Sequence, residues 1–318
     1  MNAIQLRSTD GIDALTHEEI PRPVPETNEL LVSVHAAGVN PLDWLIARGT
    51  LSHLRGNQTP WTLGWDVSGV VESVDDEVSA FDPGDSVCGM TRLPDAGGTF
   101  AEYVTLTPDE VTPKPSSHSH QEMAGVPMAG QTAFHALYEA GSLDSGDRVL
   151  VHAAAGGVGH IAVQLASDTG AHVIGTASAA NESFVRDLGA DEFVDYRTQR
   201  FENVVDDVDL VLDAVGGDVP DRSVQVTRRG GTVVTLPEPP TDEAVDQYLD
   251  REGVNVRFFD VVLDSDPITL QKVAARVDTG VITPRVAETY PLSDVKQALT
   301  RSADGHVSGK LVVAPRMG

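Results

Sequence analysis

A glycine-rich stretch near the middle of the chain has the residue types and spacing to hold a phosphate group. Between Arg148 and Ala166 a short aliphatic strand leads into Gly156, Gly157 and Gly159 and then into apolar residues at helical spacing. The first two glycines would let the backbone turn tightly and approach a pyrophosphate, and Gly159 would let the helix pack against the strand. The start of that helix would offer N–H groups and a positive dipole end to the anion. Taken alone, the pattern is equally compatible with an ordinary tight turn.

Alternating strands and helices follow this stretch and favour the phosphate-binding interpretation. A helical segment between two strands requires a crossover connection, and a series of such units predicts a doubly wound parallel sheet, the Rossmann architecture. The predicted strands after the glycines are 171–176, 191–196, 208–213, 231–236 and 254–263.

The segments on either side of this region have a different pattern. Up to about residue 120 the chain is rich in short strands, such as Glu29–His35 and Val67–Val74, separated by frequent glycines. This pattern is typical of a small β-rich barrel. After about residue 265 come an amphipathic helix, short strands and a helix over 292–300. A length of 318 residues fits two domains.

The charge balance excludes one class of partner. The chain has 48 acidic and 22 basic residues, a net charge of −26, and only four of the basic residues are lysines. Without a basic patch to replace phosphate counterions, nucleic-acid binding is not expected. Acids scattered over the whole chain predict a surface adapted to high salt, where self-repulsion is screened, and therefore a halophilic source.

Other classes are excluded by what the sequence lacks. The single cysteine, Cys88, cannot form an internal disulfide, and its strand-like setting predicts a buried structural thiol. No apolar run reaches the length of about 20 residues that a membrane span needs. The N-terminal residues show no basic segment followed by an apolar core, so a cytoplasmic location and no membrane partner are expected.

Six motifs in a fixed order resemble the zinc-free, quinone oxidoreductase-like branch of the medium-chain dehydrogenase/reductase superfamily. The resemblance implies an α/β protein with a GroES-like β-barrel catalytic domain at 1–120 and 266–318. A Rossmann NADP-binding domain at 121–265 would be inserted into it. The motifs are His35–Trp44, Gly98–Val104, Ala129–Ala133, Ala153–Gly159, Leu212–Gly217 and Ser308–Val313.

The resemblance also predicts that no metal is bound. Zinc-dependent relatives place a cysteine where this chain has Asn40 and a His–Glu pair where it has Trp65 and Asp66. Asparagine and tryptophan are not the ligands of a catalytic zinc site. The one close histidine pair, His118 and His120, is interpreted as part of a solvated linker, with a metal-binding pair as the alternative.

The end of the second Rossmann strand favours NADPH as the cofactor, with NADH as the alternative. An NAD-binding unit carries an acidic residue there, and the segment 175–181 has none. In the family, the positions of Ser178 and Tyr196 contact the 2′-phosphate, although many relatives have a lysine where Asn181 stands. Lys310 is expected either near the cofactor or on the surface. The full set of predicted cofactor-binding residues is Ala155, Gly156, Gly157, Val158, Gly159, Ser178, Tyr196, Val215, Leu236 and Lys310.

The resemblance implies hydride transfer to a small electron-poor acceptor. The predicted catalytic residues are Asn40, Asp43 and Thr132, with Asn40 and Thr132 at the nicotinamide end. Asp43 has the alternative role of capping the helix that begins near Trp44.

The predicted activity is an NADPH:quinone oxidoreductase, and reduction of enones or alkenals is the alternative acceptor chemistry. Outside the enzymes, an NADPH-binding protein without a catalytic role is the alternative. A homodimer is expected through the apolar segment 254–262.

Overall fold

The computed structural model of the protein describes residues 1–51, 60–91, 97–259 and 266–316, except for the side chain of Arg251. The strands among these residues are β1 (Asn2–Leu6), β2 (Leu15–Glu19), β3 (Leu30–Val39), β4 (Trp61–Thr62), β5 (Asp66–Val74), β6 (Ser86–Met90), β7 (Tyr103–Leu106), β8 (Val111–Pro113), β9 (Arg148–Val151), β10 (His172–Ala177), β11 (Glu192–Asp195), β12 (Val208–Asp213), β13 (Thr227–Thr235), β14 (Asn255–Phe258), β15 (Val286–Pro291) and β16 (Lys310–Ala314).

The α-helices are connected to these strands mostly by short turns. A π-helical turn, His135–Ala140, continues directly from the third helix. The helices are α1 (Pro41–Ala47), α2 (His120–Ala124), α3 (Pro127–Phe134), α4 (Gly159–Thr169), α5 (Glu182–Asp187), α6 (Val219–Val224), α7 (Asp242–Glu252), α8 (Pro267–Asp278) and α9 (Val295–Ala303).

Contacts divide the chain into two compact units. Unit 1 comprises Met1–Gln131, Val262–Gly280 and Pro284–Gly318, and unit 2 comprises Thr132–Val261 and Val281–Thr283. The second unit is therefore inserted into the first along the chain. The predicted domain boundaries after residues 120 and 265 stay predictions.

Unit 2 is built on a parallel sheet with the order β11-β10-β9-β12-β13-β14. Counted within the unit, this is the order 3-2-1-4-5-6 of the Rossmann fold, so the predicted doubly wound sheet is confirmed. The order reverses between β9 and β12, and ligands of such sheets bind at the carboxyl ends of the strands beside this point. Val149, Leu150 and Val151 of β9 are fully buried, as expected for a central strand covered on both faces.

Unit 1 contains two sheets. A three-stranded sheet has the order β2-β1-β4, and a larger sheet has the order β15-β16-β3-β5-β6-β8, with β7 paired to β3. Most of its pairings are antiparallel. The C-terminal strand β16 pairs with β3, from which it is far apart in sequence. This is the GroES-like unit predicted from the sequence. The pairing of β16 with β3 brings the C-terminal strand to the segment that precedes α1.

Two further features of the described residues bear on partners. No helix in the described ranges combines the length and apolar character that crossing a bilayer requires. β14 is the last strand on its side of the parallel sheet, so part of the predicted dimer segment is an edge strand. The remainder of that segment, residues 260–262, lies outside the described residues.

Candidate cofactor and active site

The glycine loop connects β9 to α4 in a conformation that only certain residues allow. Ala153 has a φ of 51°, and the Gly156 amide donates to the Ala153 carbonyl at 2.7 Å, which closes a tight turn. α4 begins at Gly159, where a Cβ atom would lie 2.1 Å from the Ala153 carbonyl oxygen. Only glycine fits at Gly159, because the helix starts directly against the turn.

The start of α4 is suited to binding an anion. The first amides of an α-helix have no carbonyl one turn earlier, and the helix dipole is positive at this end. Gly156, Gly157 and Val158 are partly exposed there, whereas Ala155 and Gly159 are buried. These backbone groups, at the point where the strand order reverses, fit the pyrophosphate of a dinucleotide.

His152, the first residue after β9, fixes the loop to its neighbours. Its Nδ1 lies 3.1 Å from the Thr176 hydroxyl on β10, and its Nε2 lies 3.1 Å from the Ser223 hydroxyl on α6. Burial lowers the pKa of His152 to about 3, so the ring is neutral at physiological pH. A neutral ring hydrogen-bonded on both nitrogens holds the beginning of the loop in one position.

A buried aspartate organises the neighbouring strand ends. The carboxylate of Asp213 accepts hydrogen bonds from the amides of Val215 (2.8 Å) and Gly216, and its backbone oxygen accepts from the Leu236 amide at 2.9 Å. Gly216 has a φ of 78°, which the turn requires. Val215 is 53% exposed at this edge. The predicted cofactor residues Val215 and Leu236 are thus held together by Asp213.

The end of β10 presents hydroxyl and amide groups rather than a carboxylate. The Asn181 side chain donates to the Ser178 hydroxyl at 3.3 Å. Glu182, the acid next to Asn181, accepts from Arg186 at 2.9 Å, one turn further along α5. Its charge is therefore partly satisfied within its own helix.

An arginine accompanies the predicted phosphate contact at the end of β11. Tyr196 is 49% exposed, and the Arg197 guanidinium lies 5.8 Å from its ring centre. Asp195 turns back to accept from the Arg197 amide at 3.1 Å and the Thr198 hydroxyl at 2.9 Å. These hydrogen bonds lower the pKa of the Asp195 carboxyl. An exposed arginine beside a tyrosine is a suitable partner for a phosphate group.

The predicted catalytic residue Asn40 lies in unit 1, between β3 and α1. Its backbone N–H donates to Asp43 Oδ2 at 2.7 Å, so Asp43 caps α1. Its side-chain Nδ2 donates to Asp66 Oδ2 at 2.9 Å. The capping role of Asp43 is confirmed, and its catalytic role stays a prediction.

Lys310 lies inside unit 1 and not on its surface. The residue is 5% exposed, and its Nζ donates to the Val39 carbonyl at 2.9 Å and to Asn40 Oδ1. It also lies 3.7 Å from Asp66 Oδ2. The Asn40 side chain therefore accepts from Lys310 and donates to Asp66. The alternative of a surface lysine is wrong, and a cofactor contact stays a prediction.

Asp66 is the second carboxylate of the cluster and is fully buried. Its Oδ1 accepts from the Met128 amide at 2.8 Å, and its Oδ2 faces Asn40 and Lys310. Gly38 makes room for it, since a Cβ at Gly38 would lie 2.7 Å from Asp66 Oδ2. We call the group Asn40, Asp43, Asp66 and Lys310 the polar cluster.

The protonation of the polar cluster follows from its burial. Burial raises the pKa of Asp43 to about 8 and also raises the pKa of Asp66, while it lowers the pKa of Lys310. The attraction between Asp66 and Lys310 works against both of the latter shifts. With Asp43 largely protonated at neutral pH, the Asp66–Lys310 ion pair leaves the cluster without net charge.

Thr132 lies on α3 and is 5% exposed. It belongs to unit 2, whereas Asn40 belongs to unit 1. Its predicted role at the nicotinamide stays a prediction.

Two side chains from the sequence analysis have structural roles. Cys88 is buried, and burial raises the pKa of its thiol to about 12, which confirms a structural cysteine. The His120 ring packs against the His35 ring, tilted by 41° with ring centres 4.4 Å apart, and its Nδ1 lies 2.8 Å from the Ser68 hydroxyl. Its interpretation as part of a solvated linker is therefore wrong.

Three residues important to these sites were not predicted as site residues: Asp66, Asp213 and Arg197. Asp213 stands in the quoted motif Leu212–Gly217, and its position before two glycines was an available signal. In the sequence, Asp66 is notable only because it stands where zinc-dependent relatives carry the glutamate of a His–Glu pair. No local pattern indicates that it pairs with Lys310, because that pair depends on the packing of β16 against β3.

Comparisons with known proteins agree with this description. The family models "Alcohol dehydrogenase GroES-like domain" and "Zinc-binding dehydrogenase" match residues 26–116 and 188–313. The chloroplastic quinone-oxidoreductase homolog of Spinacia oleracea is 32% identical over 99% of this chain and 98% of its own length. The quinone oxidoreductase structure from Coxiella burnetii covers 99% of both chains with a TM-score of 0.91 and 34% identity. A mycobacterial protein complexed with NADPH covers 99% of this chain and 100% of its own, with a TM-score of 0.87 and 30% identity.

The zinc named by one family model does not fit the polar cluster. A zinc site needs several N, S or O ligands that converge on the metal. Here the Lys310 ammonium lies against both Asn40 Oδ1 and Asp66 Oδ2, and an ammonium repels a metal cation. Among the residues that the structure describes, no group of three or more His, Cys, Asp and Glu side chains could hold a metal ion.

Proposed function

Because the chain belongs to the quinone oxidoreductase-like branch of the medium-chain dehydrogenase/reductase family, we propose that it is a zinc-independent, NADPH-dependent enzyme that reduces quinones. That it is an NAD(P)H oxidoreductase follows from the family. The observation that carries the proposal is the glycine loop, whose helix start lies at the reversal point of the parallel sheet.

The cofactor would be held by the carboxyl edge of the unit 2 sheet. Gly157 and Val158 would bind its pyrophosphate through backbone amides, and Gly156, whose amide closes the turn, would let the backbone approach it. Val215 and Leu236, positioned by Asp213, would contact it further along the same edge.

The choice of NADPH over NADH rests on the groups beyond β10 and β11. Ser178 and Tyr196 would hydrogen-bond the 2′-phosphate. Arg197 would supply the positive charge that many relatives provide with a lysine at the position of Asn181. An acid at the end of β10 would repel this phosphate, and the chain has none there.

The polar cluster would stabilise the charge that develops on the acceptor. When bound, the reduced nicotinamide supplies a hydride, and reduction of a quinone consumes one NADPH and one proton and yields NADP⁺ and the hydroquinone. The Asn40 amide has two hydrogens, one of which is donated to Asp66. The other has no acceptor among the described residues and is free to donate to the acceptor oxygen that gains negative charge.

The direct test measures NADPH oxidation by the purified protein with a panel of quinones and α,β-unsaturated carbonyls. We expect turnover with quinones and little with enones or alkenals. Turnover restricted to the unsaturated carbonyls would replace the quinone assignment with an enone reductase. NADPH binding without turnover of any acceptor would favour a binding protein without a catalytic role.

The cofactor preference can be tested separately with two variants at the strand ends. Arg197→Gln should lower kcat/KM for NADPH by about 10-fold and leave NADH unaffected, because one charged contact is lost. Ser178→Asp should invert the preference by placing a carboxylate at the end of β10. A wild-type protein that prefers NADH would contradict the NADPH proposal.

The catalytic assignment has its own variants. Asn40→Ala should reduce kcat by about 100-fold with little change in the Kd for NADPH, since it removes a donor to the developing charge. Thr132→Val tests the second predicted residue in the same assay. An equal loss of kcat and NADPH affinity in Asn40→Ala would contradict the assigned role.

A homodimer through β14 is proposed from the same family relationship. β14 leaves one side of its backbone unpaired among the described strands, which a second copy could pair. Sedimentation of the wild type and of Phe258→Lys would test it, since Phe258 is only partly buried on β14 and a charge there should disrupt a β14 contact.

A further inference from the structure

Lys310 has an unusual position for one of only four lysines in the chain. Its ammonium is buried, and it is hydrogen-bonded to the Val39 carbonyl and to Asn40 Oδ1. Its aliphatic stem passes Gly125, where a Cβ would lie 3.2 Å from Lys310 Cβ. Lysine is rarely buried without a specific partner, because its charge must then be satisfied internally.

The partners of Lys310 are themselves fixed. Asp66 is held by the Met128 amide through Oδ1, and its Oδ2 faces the Asn40 amide nitrogen at 2.9 Å. The Asn40 backbone is held by Asp43 at 2.7 Å. The Asn40 side chain therefore lies between an ammonium on its oxygen side and a carboxylate on its nitrogen side.

This arrangement permits only one orientation of the Asn40 amide. An ammonium can only donate, and an ionised carboxylate can only accept. Rotating the amide by 180° would place its NH₂ group against Lys310 and its oxygen against Asp66. Both contacts would then be repulsive, within a buried cluster where such contacts are poorly screened.

We propose that Lys310 is a positioning residue, whose ammonium orients the Asn40 amide so that its free N–H donates to the acceptor. This inference rests on the proposed function, in which Asn40 stabilises the charge that develops on the acceptor oxygen. In this proposal Lys310 acts through Asn40 and not through a contact of its own with the acceptor or the cofactor.

The kinetic test uses Lys310→Met, which keeps the stem and removes the ammonium. We expect kcat to fall by about 10- to 100-fold, with the Kd for NADPH and the KM for the acceptor changed less than threefold. Lys296→Met is the matched control, because Lys296 is exposed in the same unit and donates to the Asp13 carbonyl; its kinetics should equal those of the wild type. A parallel loss of NADPH affinity in Lys310→Met would show a cofactor contact and overturn the proposal.

A double variant separates action through Asn40 from an independent role. If Lys310 works only by orienting the amide, Lys310→Met in an Asn40→Ala background should cause no further loss of kcat. Multiplied losses would overturn the proposal. Lys310→Met/Asp66→Asn removes both charges, so it tests the same point if the single variant is too unstable to purify; its kcat should remain low.

Chemical rescue and an activity-independent readout complete the test. Lys310→Ala should regain kcat with ethyl- or propylammonium and not with tetramethylammonium, which has no N–H to donate. In the cofactor-free protein, the side-chain ¹⁵N–¹H signals of Asn40, identified by their loss in Asn40→Ala, should shift in Lys310→Met and stay in place in Lys296→Met. Unshifted signals would overturn the positioning role even if the wild type reduced no acceptor, whereas absent wild-type turnover alone would fail only the proposed function.

Discussion

The glycine loop of unit 2 and the polar cluster of unit 1 are built from different parts of the polypeptide. The loop presents backbone amides within a few consecutive residues, and its key requirement is the absence of a side chain at Gly159. The cluster consists of side chains, and Lys310 and Asn40 are 270 positions apart in sequence. A backbone site depends on local conformation and tolerates changes in charge, whereas a buried charge cluster depends on every partner being present.

The largest expected effect on stability belongs to the cluster. Lys310→Met should lower the free energy of unfolding by about 3–5 kcal/mol, because it leaves the Asp66 carboxylate buried without its cation. Lys310→Met/Asp66→Asn should recover a substantial part of that loss. Urea unfolding at constant salt measures both, and a double variant as unstable as the single one would contradict the charge explanation.

The loop should respond to shape and not to charge. Gly159→Ala should weaken NADPH binding by about 100-fold, since its Cβ would lie 2.1 Å from a backbone oxygen and the turn must move. Gly156→Ala is the matched control, because its Cβ would lie 3.1 Å from the same oxygen, and it should lose less. Calorimetric titration with NADPH compares the two affinities. Equal losses of affinity would show that the close contact at Gly159 does not determine the conformation of the loop.

The two regions should respond to pH in opposite directions. The pKa of His152 is lowered from 6.5 to about 3 on folding, so the unfolded state binds more protons and stability falls as pH decreases below 6.5. The pKa of Asp43 is raised from 3.8 to about 8, so the folded state holds the extra proton and stability falls as pH increases towards 8. Each contributes a slope of up to about 1.4 kcal/mol per pH unit.

Two variants isolate these slopes. The stability difference between Asp43→Asn and the wild type should change between pH 6.5 and 8, and that of His152→Gln should change between pH 6.5 and 4. Thermal or urea unfolding across this pH range gives both difference curves. A stability difference that does not change with pH for either variant would mean that folding does not shift the pKa of that residue.

The smallest expected effect concerns the strained residue of the loop. Ala153 has a left-handed φ of 51°, which costs an alanine roughly 1–2 kcal/mol relative to glycine. Ala153→Gly should stabilise the protein by about 0.5 kcal/mol, because the greater freedom of glycine in the unfolded chain offsets part of the relief. Ala155→Gly, two residues on, is the control and should be destabilising in the same unfolding assay.

Some features of the fold were accessible to sequence reasoning and some were not. The strands β9 to β13 were predicted because their aliphatic runs are continuous and separated by helices and glycines. Helix α7 was not predicted, since it is highly charged, although Thr241 accepts a capping hydrogen bond from the Ala244 amide at its start. A cap alone is a weak signal when no apolar periodicity accompanies it.

The sequence by itself determined the glycine loop, the alternating strands that surround it and the absence of an acid after β10. Each of these depends on residues that are close in sequence, and their spacing can be read directly from the sequence. Only the tertiary structure decided that Lys310 is buried, that Asp66 is its partner, and that Asn40 lies between them. The pairing of β16 with β3 brings these side chains together. Their charges interact strongly only because burial removes them from water.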